Sequence, residues 1–299
     1  FVLAWLMAAF VPRSSGRWIF GSGSGIAEGA LAVARELRRG DPEVVIFWAV
    51  ADGVEAESAA AEGFTPVLRG RWAGFWATLR AENIVVTHGH GDVNRFGVFG
   101  GRVTHLIHGA PLKRLHLDSP VTTQFSGPAP LRAILRRMYQ AGSNRIDLFV
   151  AGSVTAAERL RSAYRVAPGR VRVLGDPRDD ELALHAQDPE AGTAARSRLR
   201  ELLGIAAPAP DAVAEPWVLY APTWRDGEAD PAVPTPEEAE AIHRAMQRLG
   251  ARLLLRPHPL GAGAYQAVTG ERVHLLSAEL LRDITPSLIA FDTVITDYS

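Results

Sequence analysis

The stretch Trp18-Ile-Phe-Gly-Ser-Gly-Ser-Gly25 sets a short apolar run directly before a loop of glycine and serine. A helix-like segment over 26–39 and a second apolar run over 44–50 follow it. A strand, a glycine-rich turn, a helix and another strand form the unit from which parallel sheets are built. This stretch therefore predicts an open parallel sheet with helices on its faces and ligand-binding groups at the carboxyl ends of its strands.

The same alternation of short apolar runs and helix-like segments continues along almost the whole chain. The predicted strands are 17–20, 44–50, 84–86, 103–107, 146–150, 170–174, 217–220, 252–255, 273–275 and 293–295. The predicted helices are 26–39, 54–61, 131–140, 155–164, 189–203 and 236–249. Residues 175–180 are predicted as a turn and domain exit, because they contain Gly, Pro and three Asp. We expect an α/β protein with two Rossmann-like domains, 1–182 and 183–299, whose parallel sheets face a central cleft.

Composition excludes several classes of function. The 299 residues carry a formal net charge of -1, so the chain lacks the basic field that gathers nucleic acid, and no nucleic-acid partner is expected. The absence of cysteine rules out disulfides, thiolate metal sites and cysteine nucleophiles. Nearly all basic residues are arginine, and the single lysine, Lys113, is a candidate for a role that needs a point charge.

The chain opens with an apolar run over 1–11, which is shorter than the about 20 residues that span a bilayer. Four interpretations stay open: the tail of a longer upstream helix, a signal-like segment, the remnant of a membrane-surface anchor over 1–12, or a helix packed into the core. The chain stops after a strand-like run at Ser299, where an α/β domain normally continues into a helix. We therefore expect a fragment cut at both ends, and the sequence leaves open whether it is active.

Polar loops follow the predicted strands of the first half. The loop that begins at His108 contains a glycine and a proline, so it is expected to be rigid and to place an imidazole at the mouth of the sheet. Such an imidazole can remove a proton from an alcohol near neutral pH, and a purely structural histidine is the alternative. The loop 21–25 is either an anion cradle or a tight turn. His88 and His90 are not accompanied by a set of carboxylates or cysteines at ligand spacing, so no metal is expected.

Similar loops follow the strands of the second half. Three residues with a hydroxyl, an indole and a guanidinium come together after the first of these strands: Thr223, Trp224 and Arg225. Two prolines fix Arg256 and His258 after the next strand, which suits contacts to a diphosphate. The hydroxyls of Thr296 and Ser299 and the carboxylate of Asp297 follow the last strand. Together these loops predict an anionic ligand bound at the strand ends.

Five ordered motifs resemble those of the CDP-glycerol:poly(glycerophosphate) glycerophosphotransferases, over about 18–299. The motifs are His108-Gly-Ala-Pro-Leu-Lys113, Gly175-Asp-Pro-Arg-Asp-Asp180, Ala221-Pro-Thr-Trp-Arg-Asp226, Arg256-Pro-His-Pro259 and Ile295-Thr-Asp-Tyr-Ser299. The resemblance implies a GT-B fold and a teichoic-acid-type polymerase or primase of cell-wall synthesis. It implies transfer of glycerol phosphate from CDP-glycerol to a lipid-linked polyol-phosphate acceptor with release of CMP, without a cofactor. It also implies peripheral attachment at the cytoplasmic face of the plasma membrane, on the membrane surface.

The resemblance also implies roles for individual residues. His108 is expected to be the general base in an acceptor-side domain, and His258 with Arg256 is expected to contact the donor diphosphate. The remaining residues that it assigns to the donor or substrate site are Lys113, Arg178, Thr223, Trp224, Arg225, Thr296, Asp297 and Ser299. Two positions depart from the family pattern: Ala110 stands where threonine is common, and Asp176 replaces an aromatic residue.

Three other functions remain open at this point. CDP-ribitol presents the same phosphates as CDP-glycerol, and no residue reads the extra carbons. A GT-B glycosyltransferase would use a nucleotide sugar and release a nucleoside diphosphate instead of CMP. A catalytically inactive domain would keep the pocket only to hold the polymer.

Overall fold

The computed structural model describes residues 2–119, 128–188, 190–209, 211, 214–223, 232–257 and 259–297. The chain divides into two compact units, Phe1–Asp180 and Glu181–Ser299. The division lies two residues before the boundary predicted from the sequence. Each unit has its own parallel sheet and its own buried apolar residues.

The first unit contains a seven-stranded sheet. Its strands are β1 (Ser14–Gly21), β2 (Ile46–Val50), β3 (Thr65–Leu68), β4 (Ala81–Val86), β5 (Arg102–His105), β6 (Leu148–Ala151) and β7 (Val171–Val173). Its α-helices are α1 (Val2–Phe10), α2 (Glu28–Gly40), α3 (Gly53–Ala61), α4 (Trp72–Arg80), α5 (Ala129–Ser143) and α6 (Val154–Tyr164), and α7 (Pro177–His185) crosses the division between the units. Short 3-10 helices lie at His90–Asp92, His116–Asp118 and Pro168–Arg170.

The strands run parallel in the order β3-β2-β1-β4-β5-β6-β7. The chain moves outward from β1 in one direction and then returns to continue on the other side, so the order reverses between β1 and β4. Trp18 of β1 pairs with Ile46 on one side and with Asn83 on the other. In doubly wound sheets, the crevice outside the strand ends at this reversal is where ligands bind.

The apolar sequence of β1 explains its central position. Ile19 and Phe20 point to opposite faces of the sheet, and both are completely buried. Phe20 stacks on Trp48 of β2 at a ring distance of 5.6 Å. Helix α2 covers this face with a buried stripe that includes Ala30 and Ala34. A strand buried on both faces is typical of a parallel sheet between two layers of helices.

The second unit contains a four-stranded parallel sheet. Its strands are β8 (Trp217–Ala221), β9 (Arg252–Leu255), β10 (Val273–Leu275) and β11 (Thr293–Thr296), and its helices include α8 (Ala191–Leu203) and α9 (Pro236–Leu249). Further 3-10 helices lie at Pro259–Val268 and Thr285–Ala290. The strand order β10-β9-β8-β11 repeats the reversal of the first sheet, now between β8 and β11. The predicted α/β class with two parallel sheets is therefore confirmed.

Three local predictions differ from the structure. Residues 177–180, predicted as part of a turn, begin helix α7; Asp179 and Asp180 lie in its first turn, where acidic side chains are favoured. The sequence prediction missed strand β3 and helix α4. Helix α8 begins at Ala191, and Pro189, the predicted start, lies outside the described residues.

The apolar start of the chain forms helix α1. Met7 and Ala8 pack against a buried cluster of Phe75, Leu79 and Phe99. This contact supports the interpretation of a core-packed first helix. Among the described residues, no helix has the length and apolar character needed to cross a bilayer.

Candidate active site

The candidate site lies in the first unit, at the reversal point of its sheet. Three loops leave the carboxyl ends of neighbouring strands there: 21–27 after β1, 87–92 after β4 and 106–111 after β5. Parallel strands bring these ends to one edge of the sheet. The loops carry the predicted base, His108, and two further groups that matter for its setting, His88 and Asp92.

His108 and His88 form a stacked pair of imidazoles. Their ring centres lie 4.0 Å apart, and the ring planes differ by 6°. Nδ1 of His108 lies 3.3 Å from the backbone carbonyl oxygen of Thr87. Because a carbonyl oxygen can only accept a hydrogen bond, Nδ1 carries the proton, and Nε2 of a neutral ring is left with a free electron pair. His108 is exposed, so this nitrogen can accept a proton from a ligand.

Asp92 fixes the loop that carries His88. This carboxylate is 4 % exposed, and its Oδ2 accepts hydrogen bonds from the backbone N–H groups of Thr87, His88 and Gly89, at 2.9, 2.6 and 3.2 Å. A carboxylate that accepts several backbone N–H groups holds a loop firmly, because each bond involves a charged acceptor. The loop 87–89, which carries His88, is therefore held in a fixed conformation.

The glycine-serine loop 21–25 rests on His88. The N–H of Gly23 donates to Nδ1 of His88 at 3.2 Å, so the proton of a neutral His88 ring lies on Nε2. A Cβ atom at Gly23 would lie 2.8 Å from the His88 ring, which explains the glycine. Of the two interpretations of this loop, the contact favours the tight turn, because the N–H of Gly23 is used within the protein.

Burial lowers the pKa of His88, and the neighbouring charge of His108 lowers it further, while Asp92 opposes the shift. A protonated His88 could not accept the Gly23 N–H, so the neutral ring preserves both the loop and the stack. Two stacked imidazoles also cannot both become charged without mutual repulsion.

Other histidines of this unit are structural. His105 is completely buried, which lowers its pKa to about 3, and its Nδ1 accepts the N–H of Ile107 at 3.1 Å. His90 contacts the carbonyl oxygen of Gly142 at 3.0 Å, and His116 stacks on Tyr164 with ring centres 4.5 Å apart. Within the described ranges, no three histidine or carboxylate side chains are grouped so that they could hold a metal ion.

The structure brings Arg178 beside the His108 loop. A Cβ atom at Gly109 would lie 3.2 Å from Nη2 of Arg178, and Nε of Arg178 lies 3.3 Å from Oδ2 of Asp176. Lys113, by contrast, is exposed and lines a different cavity of about 290 Å³ together with Arg114 and Arg159. The two predicted substrate cations of this unit therefore lie in different cavities.

In the second unit, three predicted site residues meet at the carboxyl ends of β8 and β11. The backbone N–H of Thr223 donates to Oδ1 of Asp297 at 3.0 Å, and the hydroxyl of Thr223 contacts the same oxygen. The hydroxyl of Thr296 donates to the carbonyl oxygen of Ala221 at 2.7 Å. These bonds tie the two strand ends together at the reversal point of the second sheet.

Arg256 has a different environment from the one expected of a diphosphate ligand. Its Nη1 donates to the carbonyl oxygens of Leu276 and Ser277 at 3.1 and 2.7 Å, and its Nη2 donates to that of Arg282 at 3.0 Å. A guanidinium has five N–H groups, so at most two remain for a ligand. Burial lowers the pKa of Arg256. In the structure, this side chain supports the loop 276–282.

Four predicted site residues lie outside the described residues: Trp224, Arg225, His258 and Ser299. Sequence reasoning, in turn, missed the supporting roles of His88 and Asp92. The available signal was the segment Thr87-His-Gly-His-Gly-Asp92, a run of polar and glycine residues directly after a buried strand.

Two open parallel sheets, each with polar side chains at its point of reversal, define the class of α/β proteins that bind ligands at those strand ends. Within that class, the family model described as CDP-Glycerol:Poly(glycerophosphate) glycerophosphotransferase matches residues 4–299. The chain belongs to this family.

Two curated relatives carry names of the same kind. The teichoic acid poly(glycerol phosphate) polymerase of Staphylococcus epidermidis is 28% identical over 195 residues, which are 64% of this chain and 25% of that protein. The teichoic acid glycerol-phosphate transferase of Staphylococcus aureus is 27% identical over 211 residues, 66% of this chain and 48% of that protein. The chain thus spans between a quarter and a half of the length of these relatives.

Solved structures agree on the fold. The wall teichoic acid polymerase TagF matches with a TM-score of 0.77 and 21% identity, over 99% of this chain and 69% of that one. The UDP-GlcNAc 2-epimerase of Neisseria meningitidis matches with a TM-score of 0.52 and 12% identity, over 96% of this chain and 77% of that one. The predicted GT-B-like fold is confirmed.

Proposed function

We propose that the protein to which this chain belongs transfers glycerol phosphate from CDP-glycerol to a hydroxyl of a lipid-linked teichoic-acid-like polymer and releases CMP. Membership of the family supports this activity. So do the names of the two staphylococcal relatives, and a TagF structure obtained after a soak with CDPG.

His108 is the general base of this reaction. The single observation that carries the proposal is its hydrogen bond from Nδ1 to the Thr87 carbonyl oxygen, which leaves Nε2 of the neutral ring as the proton acceptor of an exposed side chain. Nε2 takes the proton of the acceptor hydroxyl as the hydroxyl oxygen attacks the phosphorus that bears the glycerol. The bond between this phosphorus and the oxygen bridging to CMP breaks, and CMP leaves with the electron pair.

The second unit supplies the donor side. Thr223, Thr296 and Asp297 lie at the reversal point of its sheet, where nucleotide ligands of such sheets bind. Trp224, Arg225, His258 and Ser299 are proposed to complete this donor site, with His258 stabilising the charge of the leaving CMP. Arg256 contributes through the loop that it supports, and Lys113 provides a phosphate-facing charge on the acceptor side.

The product test separates this activity from its alternatives. The full-length protein is incubated with a glycerophosphate-primed acceptor and, in turn, with CDP-glycerol, CDP-ribitol and a nucleotide sugar, and the released nucleotide is identified. We expect CMP with CDP-glycerol. A nucleoside diphosphate would indicate a glycosyltransferase, CMP only with CDP-ribitol would change the donor, and no product with any donor would indicate an inactive binding domain.

The membrane surface is the proposed location of the acceptor reaction, and helix α5 is the element that supports it. Leu131, Ile134 and Met138 are exposed and lie on one face of this helix, at helical spacing. Arg132 and Arg137 lie on the two sides of that face and are also exposed. A helix with an apolar face flanked by arginines suits the surface of an anionic bilayer.

Vesicle sedimentation tests this location. We expect the protein to sediment with vesicles that contain anionic lipid and less with neutral vesicles, and an Ile134→Gln, Met138→Gln double variant to lose most of the binding. Equal sedimentation of the wild type and the double variant would contradict the role of α5.

A further inference from the structure

A small cavity opens at the carboxyl ends of β5, β6 and β7, next to the loop that carries His108. It has a volume of about 220 Å³. Ile107 and Gly109, the chain neighbours of His108, line one side of it, and Asp176 and Arg178 line another. A ligand in this cavity would therefore lie beside the proposed base.

Arg178 presents an open guanidinium fork to this space. Its Nε is paired with Asp176 at 3.3 Å, while Nη1 and Nη2 are directed toward Gly109. Within the described part of the chain, neither of these terminal nitrogens has a hydrogen-bond acceptor. A planar fork with two free amino groups matches the oxygens of a phosphate.

Asp176 adds an acceptor for hydroxyl groups. Its side chain is 15 % exposed, and its Oδ1 accepts the backbone N–H of Arg178 at 3.3 Å. The cavity also borders Ser153, the residue that caps the start of helix α6. The cavity thus offers a cation and a helix start for a phosphate, and a carboxylate for hydroxyl groups, among apolar side chains such as Leu160. This combination suits a ligand that carries both a phosphate and hydroxyl groups.

The size of the cavity narrows the choice of ligand. Pockets that hold drug-sized ligands have volumes of about 300–1,000 Å³, so this cavity is too small for a nucleoside diphosphate. A polyol phosphate of three carbons is small enough. Inorganic phosphate alone would place a second negative charge close to the Asp176 carboxylate without supplying the hydroxyl groups of a polyol.

We propose that this cavity binds the terminal polyol-phosphate unit of the acceptor, with the Arg178 fork on the phosphate and the Asp176 carboxylate accepting from the hydroxyl groups. The inference rests on the proposed transfer function and adds the residues that select the acceptor. Arg178 and Asp176 bind and position the acceptor, and His108 takes the proton.

Direct binding tests this assignment without turnover. The full-length protein is titrated with sn-glycerol 3-phosphate, ribitol 5-phosphate, glycerol and inorganic phosphate by calorimetry. We expect the two polyol phosphates to bind at least about tenfold more tightly than phosphate or glycerol, because two kinds of charge-assisted bond are made at once. Tighter binding of the glycerol or the ribitol compound identifies the polyol. Equal affinity for inorganic phosphate and the polyol phosphates would overturn the inference.

Variants locate the binding. Arg178→Gln is expected to weaken polyol-phosphate binding about tenfold, and Arg178→Lys to weaken it less, because lysine keeps the charge without the fork. Asp176→Asn should weaken polyol-phosphate binding and should not weaken the binding of inorganic phosphate, because it removes a nearby negative charge. Arg172→Gln, on the exposed surface of β7, is the matched control for a lost positive charge. Unchanged binding in both Arg178→Gln and Asp176→Asn, with melting temperatures like the wild type, would overturn the inference.

Kinetics separate this inference from the proposed function. Arg178→Gln is expected to raise the KM for the acceptor and to leave the KM for CDP-glycerol unchanged. Transfer activity with an unaltered acceptor KM would remove the cavity from the mechanism and leave the proposed function intact. Polyol-phosphate binding that depends on Arg178, in a protein with no transfer activity, would support the cavity and refute the transferase.

Discussion

Both sheets reverse their strand order beside their first strand, but the charged side chains at their carboxyl ends have different hydrogen-bond partners. In the first sheet, the side chain of His108 is exposed, and Arg178 keeps two terminal amino groups without an acceptor among the described residues. In the second sheet, Arg256 donates three hydrogen bonds to backbone carbonyl oxygens, and Thr223 contacts Asp297. The described polar groups at the first set of strand ends are open to a ligand, while those at the second set form hydrogen bonds within the protein.

The difference shows that position at a strand end does not define the role of an arginine. Arg178 and Arg256 both follow a strand and both stand next to proline. A guanidinium bonded to carbonyl oxygens fixes a loop, whereas one with a free fork can bind an anion. The acceptors around the side chain decide between these roles, and they come from segments distant in the sequence.

The largest expected effect concerns His108, the exposed histidine at the carboxyl end of β5. His108→Ala should lower transfer by about a hundredfold or more in the full-length protein, because the general base is lost. The thermal melting curve should stay unchanged, since His108 is exposed. His116→Phe, which keeps a ring against Tyr164, is the control and should keep near-wild-type turnover. Wild-type turnover in His108→Ala would remove this residue from the chemistry.

The second effect concerns Arg256, the arginine of the second unit that donates to three backbone carbonyl oxygens. Arg256→Gln should lower the free energy of unfolding by about 2–3 kcal/mol, because three carbonyl oxygens lose a charged donor. Urea denaturation measures this loss. Arg244→Gln, on the exposed side of α9, is the matched control and should change the stability little. If Arg256→Gln is as stable as the control, the carbonyl contacts do not hold the loop.

The third prediction is that acid lowers the stability of the first unit through its buried histidine, His105. Burial lowers the pKa of His105 to about 3, so at pH 5 the unfolded chain binds a proton that the folded chain does not. The contribution of neutral His105 to the free energy of unfolding is therefore fully present above about pH 6.5 and falls as the pH drops below that value. At pH 5 the loss is about 2 kcal/mol. Urea denaturation at pH 7 and pH 5 should show this loss in the wild type and a smaller one in His105→Phe.

His274 in the second unit provides the comparison for that measurement. Its pKa is also lowered by burial and by Arg252, but its side chain is only half-buried. His274→Phe should therefore leave most of the acid sensitivity in place. Equal pH dependence in the wild type and His105→Phe would show that the buried imidazole is not the source.

The smallest expected effect lies at the end of β11. Thr296→Val removes the hydroxyl that donates to the Ala221 carbonyl oxygen and should cost about 1 kcal/mol or less, since the site is exposed. Thr293→Val, on the same strand and also exposed, is the control. Chemical denaturation compares the two variants. A larger loss in Thr293→Val than in Thr296→Val would contradict the role of this bond.

The sequence predicts most of the fold because the signals are local. Buried strands such as 252–255 and helices such as 236–249 match the structure within a residue or two. Strand β3 escaped prediction because Thr65–Leu68 has only four residues and includes a proline, which suits its place at the sheet edge. The helical start of 177–180 escaped because glycine, proline and aspartate are typical of both turns and helix starts.

The site is predicted less completely, because its geometry comes from contacts between distant loops. The position of His108 after β5 follows from the sequence pattern. Its stacking on His88, 20 residues earlier, depends on the β4–β5 pairing and on the carboxylate of Asp92. The sequence could not distinguish the roles of Arg178 and Arg256. Every residue has a backbone carbonyl oxygen, so the sequence does not show which of these oxygens lie near an arginine in the fold.

The dependence of initial CMP release on acceptor concentration tests the contrast between the two strand ends most directly. It is measured for the full-length wild type, Arg178→Gln and Arg256→Gln at saturating CDP-glycerol. We predict an acceptor KM raised about tenfold in Arg178→Gln, from the loss of charge-assisted bonds, and an unchanged acceptor KM in the folded fraction of Arg256→Gln. A raised acceptor KM in Arg256→Gln together with a normal one in Arg178→Gln would contradict the account.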